Sequence, residues 1–180
     1  GMGIEVRYAD PANPNNFKEL TDDKTRLYYA ETLPNPSLRV FPIEEVAEIG
    51  IKLGIPLVMD NTACPIICNP IKYGAAIVIH SLTKFIGGHG TSVGGVIIDS
   101  GKFDWTVNKK RQPNIWKPDN SYHGAIWGEI IPKLTGINIP YIIRARVVLL
   151  RDLGSALSPF NSFLIIQGLE TLALRMSQHC

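Results

Sequence analysis

The stretch Ala75-Ala76-Ile77-Val78-Ile79-His80-Ser81-Leu82-Thr83-Lys84-Phe85-Ile86-Gly87-Gly88-His89-Gly90 decides how this chain is read. Its first six residues form a short apolar run rich in β-branched side chains, which reads as a buried strand from Ala75 to His80. The strand runs into two hydroxyls, one amine and a cluster of glycines. That composition suits a site better than a core. Ser81 and Thr83 are candidates to hold an anion. Lys84 is a candidate point charge or nucleophile, and the glycines allow backbone to approach a ligand closely.

Outward from this stretch, strands alternate with helical pattern. Ile55 to Asp60 reads as another strand. Before it, Ile43, Val46, Ala47, Ile49 and Leu53 recur at helical spacing. Pro42 opens that helix, Glu44 and Glu45 favour its positive N-terminal end, and Gly54 stops it. Thr25 to Glu31 and Gly3 to Tyr8 also read as strands, and Asn15 or Asn16 as the cap of a short helix through Leu20. Leu33-Pro34-Asn35-Pro36 is extended, because residues before proline avoid the helical region. Gly94 to Asp99 makes a fifth strand. The alternation predicts an open, mostly parallel α/β sheet. From Phe103 to Ile137, Pro113, Pro118 and Pro132 predict an irregular excursion with short helical turns. Two helices follow, one from Tyr141 to Leu153. The other opens at Ser158-Pro159, a cap followed by proline in the first turn, and runs to Cys180.

Bulk properties exclude several classes. A length of 180 residues with 45% hydrophobic and 19% charged side chains describes a globular chain able to bury a core. A net charge of +2, with Lys109-Lys110-Arg111 the only compact basic run, argues against nucleic acid as partner. Three cysteines, Cys64, Cys68 and Cys180, do not make a disulfide framework and point to a reducing compartment. Pro65 interrupts the Cys64/Cys68 pair and no second pair follows at zinc-like spacing, so these read as buried thiols and no metal site is expected. No apolar run is long enough to cross a membrane, and no signal peptide is recognisable. Gly1-Met2 reads as a tag remnant ahead of a start methionine.

Asp60 follows its strand as Lys84 follows the next, at a spacing of 24 positions. In open α/β sheets, ligands bind beyond the carboxyl ends of the strands. One reading is a plain Asp60–Lys84 ion pair, which contributes only about 0–1 kcal/mol when exposed. The other places an aromatic cofactor between them, the lysine holding an aldehyde and the acid facing a pyridinium nitrogen. Ser81 and Thr83 then donate to a phosphate.

These residues resemble a family. Asp60-Asn61-Thr62, Pro70, Gly74-Ala75 and Ser81-Leu82-Thr83-Lys84-Phe85-Ile86-Gly87-Gly88-His89 are similar to the signature of the pyridoxal-phosphate enzymes of cysteine and methionine metabolism, the trans-sulfuration family. Glu31-Thr32-Leu33-Pro34-Asn35-Pro36 matches a further family segment. Leu157-Ser158-Pro159-Phe160-Asn161 and Gly168 through Met176 match its connecting helix. Asn120-Ser121-Tyr122-His123-Gly124 and Asp99 through Trp105 are most similar to its O-acetylhomoserine sulfhydrylase branch.

The resemblance implies an aminotransferase-like (fold type I) α/β large domain, present incompletely. Residues 1–157 would be part of that domain, and residues 158–180 a connecting helix leading to a C-terminal domain beyond the chain. It implies pyridoxal 5'-phosphate as cofactor, with Lys84 as Schiff-base lysine and catalytic proton carrier. Asp60 would sit at the ring nitrogen, Ser81 and Thr83 at the phosphate, and Asn35 near the phenolic oxygen or the substrate carboxylate. The implied reaction is γ-replacement: O-acetylhomoserine and sulfide give homocysteine and acetate. A cystathionine synthase or lyase reaction and a non-catalytic role in folding and subunit contacts are the alternatives. A cytoplasmic homo-oligomer, a homotetramer in the intact enzyme, is also implied. The family's upstream glycine-rich phosphate contact, its stacking aromatic, its Tyr-x-Arg segment and its downstream carboxylate-binding Arg are not recognisable in residues 1–180. A fragment with little turnover of its own is therefore expected. His80 reads as a satisfied strand-end histidine, with stacking or hydrogen bonding near the cofactor ring as the alternative, and His89 as a turn residue or a catalytic one. Tyr122 and His123 read as an entrance or subunit contact, and Glu31 as a brace for the Asn35 loop.

Overall fold

In the computed structural model, residues 3–180 are described. Gly1 and Met2, read above as a tag remnant, lie outside the described residues. The first half of the chain folds as α1 (Asn15–Glu19), β1 (Tyr28–Glu31), α2 (Ile43–Leu53), β2 (Leu57–Asp60), β3 (Ile77–Ser81) and β4 (Gly95–Asp99). The sheet order is β1-β2-β3-β4. The first three strands are parallel and β4 is antiparallel. Where the parallel strands end, Glu31 lies opposite Asp60 and Asp60 opposite Ile79, while the end of β3, Ser81, lies opposite Gly95, the start of the antiparallel β4.

The alternation of side chains along β2 and β3 creates two cores. Leu57, Met59 and Val78 face α2 and meet Val46, Ala47, Ile43 and Phe41. Val58, Ala76 and Ile77 face the other way, onto Phe103, Trp105 and Ile115. Val46, Ile55 and Met59 are fully buried, and each such side chain contributes about 1.5–3 kcal/mol. Helix α2 has the bounds its punctuation dictates, because Gly54 adopts φ +68, the left-handed cap that stops it.

The segment read as an irregular excursion forms the second layer. It carries α3 (Pro113–Trp116) and α4 (Trp127–Thr135), then α5 (Pro140–Arg144). A π-helical stretch, Ala145–Leu150, continues α5 into α6 (Arg151–Leu153). Trp105 stacks on Tyr141 with ring centroids 5.8 Å apart. The nine residues of α4 exceed the short turns expected, with Pro132 inside the helix.

Further expectations change. The N-cap of α1 is Pro14 rather than Asn15 or Asn16, with no side-chain cap. Gly3 to Tyr8 pairs with no strand among the described residues. Ile4, Val6 and Tyr8 are exposed, and Arg7 is held instead by Glu5 and Asp22. Alternation alone does not make a strand where no ladder partner lies alongside. The strand read from Ala75 begins at Ile77 and extends to Ser81, so a site residue lies on the sheet itself. The single helix expected from Ser158 to Cys180 is two, α7 (Pro159–Glu170) and α8 (Leu172–His179), broken at Thr171. Ser158 caps α7 as expected, its Oγ accepting from Asn161 N–H at 3.2 Å. Among the described residues no helix is long and apolar enough to cross a membrane.

Candidate active site

The carboxyl edge of the sheet gathers side chains from three connections. β1 delivers Glu31 and, just beyond, the exposed Asn35, whose backbone N–H donates to Glu31 Oε2 at 3.4 Å. β2 delivers the half-buried Asp60. β3 delivers Ser81 and the π-helical turn Leu82–Ile86 that carries Lys84.

Asp60 is held on both oxygens. Oδ1 accepts from Thr62 N–H at 2.9 Å, and Oδ2 accepts from the Tyr29 hydroxyl at 3.2 Å. Burial, then the Asp60 charge, push the Tyr29 hydroxyl up to about 12, so it stays a donor to the carboxylate. Thr62 also reaches β3: its Oγ1 accepts from Ser81 N–H at 2.8 Å. Among the described residues Ser81 Oγ has no protein hydrogen bond, whereas Thr83 Oγ1 is engaged with Gly94, accepting from its N–H at 3.0 Å and facing its carbonyl at 3.3 Å. The motif presents two equivalent hydroxyls; the fold turns one to the strand β4 entry and leaves the other open.

Lys84 is exposed, and no Asp60–Lys84 ion pair forms among the described residues. The plain ion-pair reading loses its support. His80 is buried beneath the site, and its Nδ1 has no partner among the described residues. Burial pushes His80 down, against the raising influence of Asp60 and of the Asn61 backbone. His89 and His123 are exposed, the latter in a left-handed turn after the short helix Asn120–Tyr122. Tyr122 is pinned within the second layer, accepting from Arg151 Nη1 at 2.8 Å and donating to the Val147 carbonyl at 2.5 Å. Cys64 is buried and Cys68 half-buried, both free.

The sequence reading assigned no role to Tyr29, Thr62, Gly168 or Arg175. Gly168 was detectable as a glycine inside a helical pattern, which marks a close approach. There a Cβ would lie 2.6 Å from the Ile86 carbonyl oxygen, so α7 rests directly on the Lys84 turn. Ile165, Leu172 and Met176 pack on Ile86 in the same contact.

The mixed sheet presents an amine, a carboxylate and an open hydroxyl beyond the carboxyl edge of its parallel strands, as an α/β domain does. The donor set fits pyridoxal phosphate: an amine for an aldehyde, a carboxylate for a ring nitrogen, and a hydroxyl beside glycines for a phosphate. The comparisons agree. The chain belongs to the Cys/Met metabolism PLP-dependent enzyme family, whose model matches residues 1–180. It is 51% identical over 182 residues to the O-acetyl-L-homoserine sulfhydrylase of Leptospira meyeri, covering 99% of this chain and 41% of that protein. It is 47% identical to the homocysteine/cysteine synthase of Saccharomyces cerevisiae, covering 99% of this chain and 39% of that protein. A crystal structure from Campylobacter jejuni, described as an O-acetylhomoserine (thiol)-lyase with N'-pyridoxyl-lysine-5'-monophosphate, superposes with a TM-score of 0.87 at 36% identity. That match covers 98% of this chain and 42% of the other. The chain thus spans about two fifths of the length of these relatives.

Proposed function

We propose that this chain carries the lysine-bearing part of an O-acetylhomoserine sulfhydrylase, with the edge of the parallel strands as its cofactor site. The observation that carries the reading is Lys84 just beyond β3, with Asp60 ending the adjacent parallel strand and held ready on both oxygens. Bound pyridoxal phosphate would supply the electrophilic aldehyde and the electron-withdrawing ring. Asp60 would hold a proton at the ring nitrogen. The Ser81 hydroxyl would donate to the phosphate, Thr83, its hydroxyl engaged with Gly94, would brace the turn beside the same anion, and Asn35 would orient the ligand from the β1 side. Lys84 would hold the cofactor through Nζ and then, as a free amine, take the Cα proton of the substrate. Positioned proton transfer of this kind contributes typically about 10²–10⁴-fold.

The net change is replacement at Cγ. The Cγ–O bond to acetate breaks, with the electron pair leaving on acetate, and a Cγ–S bond to sulfide forms to give homocysteine. Residues 1–157 are proposed as part of the large domain and 158–180 as the path toward a further domain. The functional enzyme is proposed to be a cytoplasmic homo-oligomer, a homotetramer when intact.

The test mixes the chain with pyridoxal phosphate, reduces with borohydride and locates the adduct by peptide mass. An adduct on Lys84 is expected; an adduct confined to other lysines overturns the reading. Assays with O-acetylhomoserine plus sulfide, against O-succinylhomoserine plus cysteine, separate the sulfhydrylase from the cystathionine synthase reaction.

A further inference from the structure

The Lys84 turn does not hold itself. Lys84 sits at φ −91, ψ −124, outside helical values, in the middle of Leu82–Ile86. The Leu82 and Lys84 carbonyls accept from Gly87 and Gly88 N–H, each at 2.8 Å. The carbonyls of Phe85 and Ile86, the two residues after the lysine, receive no backbone donor among the described residues. A partly buried carbonyl without a donor is costly.

Arg175 of α8 supplies those donors from 90 residues away. Its Nη1 donates to Phe85 O at 2.6 Å and its Nη2 to Ile86 O at 3.1 Å. The same Nη2 donates to Gly168 O of α7 at 2.6 Å, and Nε donates to Thr171 Oγ1 at 3.1 Å. The guanidinium thus joins the lysine turn, α7 and α8 with one rigid group. Gly88, at φ +78, makes room for it: a Cβ there would lie 2.6 Å from Nη1. The helix breaks at Thr171, and Arg175 lies in α8 just beyond that break. Charge-assisted bonds of this kind are roughly twice as strong as neutral ones, and only the planar fork reaches several carbonyls at once.

We propose that Arg175 is a positioning residue for Lys84, fixing the backbone turn that aims the amine at the cofactor. Lys84 is exposed and has no ion pair among the described residues, so its aim depends on its backbone. This inference rests on the reading of Lys84 as the cofactor lysine.

The experiment has two readouts on the parent chain, Arg175→Met and Arg175→Lys. First, each is incubated with limiting pyridoxal phosphate and reduced, and the share of adduct on Lys84 is measured against the other lysines. The parent is expected to favour Lys84. The share falls at least fivefold in Arg175→Met and less in Arg175→Lys, which keeps the charge without the fork. Second, amide exchange is followed without cofactor. Gly87 and Gly88 exchange at least tenfold faster in Arg175→Met, while the β2 amides are unchanged. An unchanged Lys84 share, or exchange that rises equally in β2 and the turn, overturns the proposal. Should Arg175→Met not fold, Arg175→Lys decides by the same two readouts. A parent chain that labels only other lysines refutes the cofactor assignment, whereas exchange still decides whether Arg175 holds the turn.

Discussion

Replacing Gly168 with alanine pits two effects of opposite sign against each other. Gly168 lies inside α7, where alanine is ordinarily favoured over glycine by about 0.8–1 kcal/mol. Here the added Cβ would lie 2.6 Å from Ile86 O and 2.7 Å from Gly87 C. Both neighbours are backbone of the Lys84 turn, so neither swings aside as a flexible side chain would. Either α7 or the turn must retreat, which loosens Ile165 and Leu172 on Ile86 and stretches the Arg175 bond to Gly168 O. Overpacking of this kind costs about 1–3 kcal/mol. Subtracting the helix gain leaves a net loss of about 1–2 kcal/mol at the upper part of that range. With a urea slope of about 2 kcal/mol per molar, the midpoint falls by about 0.5–1 M. Urea unfolding followed by tryptophan fluorescence measures it. A midpoint above the parent's refutes the close approach of α7 to the lysine turn.

Two further predictions concern pH. Tyr29, raised to about 12 by burial and then by Asp60, stabilises the folded chain fully below its ordinary value near 10, and that contribution is lost as pH rises through about 12. Ultraviolet titration is expected to show Tyr29 ionising late together with the buried Tyr28 and the half-buried Tyr141, and Asp60→Asn to bring Tyr29 alone earlier. His80, lowered by burial, favours folding above its ordinary value near 6.5, and the contribution is lost as pH falls through its lowered value. Its ring shifts in NMR are expected to report a neutral imidazole below pH 6.5. Asp60→Asn removes an influence that raises it and should lower it further.

Much of this architecture is legible in local pattern. Helix α2 ends where Pro42 and Gly54 demand, because proline and glycine act on their own backbone. The candidate site is legible for the same reason: Asp60 and Ser81 end strands that their own residues announce, and Lys84 follows one. What is not legible is who stands next to whom. Gly3 to Tyr8 alternates, yet a strand needs a neighbour and the period does not name one. Thr171 breaks a helix without glycine or proline, so no local signal separates α7 from α8. Arg175 carries no local sign of its role, which shows only once its three carbonyl partners, in the turn after Lys84 and in α7, are in place. Thr83 and Ser81 look equivalent in the motif, and only the position of Gly94 distinguishes them.

The last distinction follows from how β2 and β3 part. Beyond Asp60, the Asn61 N–H still donates to Ile79 O at 2.9 Å, after which β2 turns away and no backbone carbonyl faces Ser81 N–H among the described residues. Thr62 replaces it with a side chain, accepting from Ser81 N–H through Oγ1 while its own N–H goes to Asp60 Oδ1. One residue therefore ties the carboxylate on one strand to the open hydroxyl on the next. The separation between the Asp60 carboxylate and Ser81 is then fixed by two short bonds through a β-branched side chain of few rotamers. The lysine has no such tie on its own side chain. Its placement comes from below, through the carbonyls that Arg175 holds. The site thus has a rigid edge made by neighbouring strands and a lysine turn whose rigidity is supplied by the C-terminal helices, so the lysine turn is where damage to α7 or α8 will first be felt.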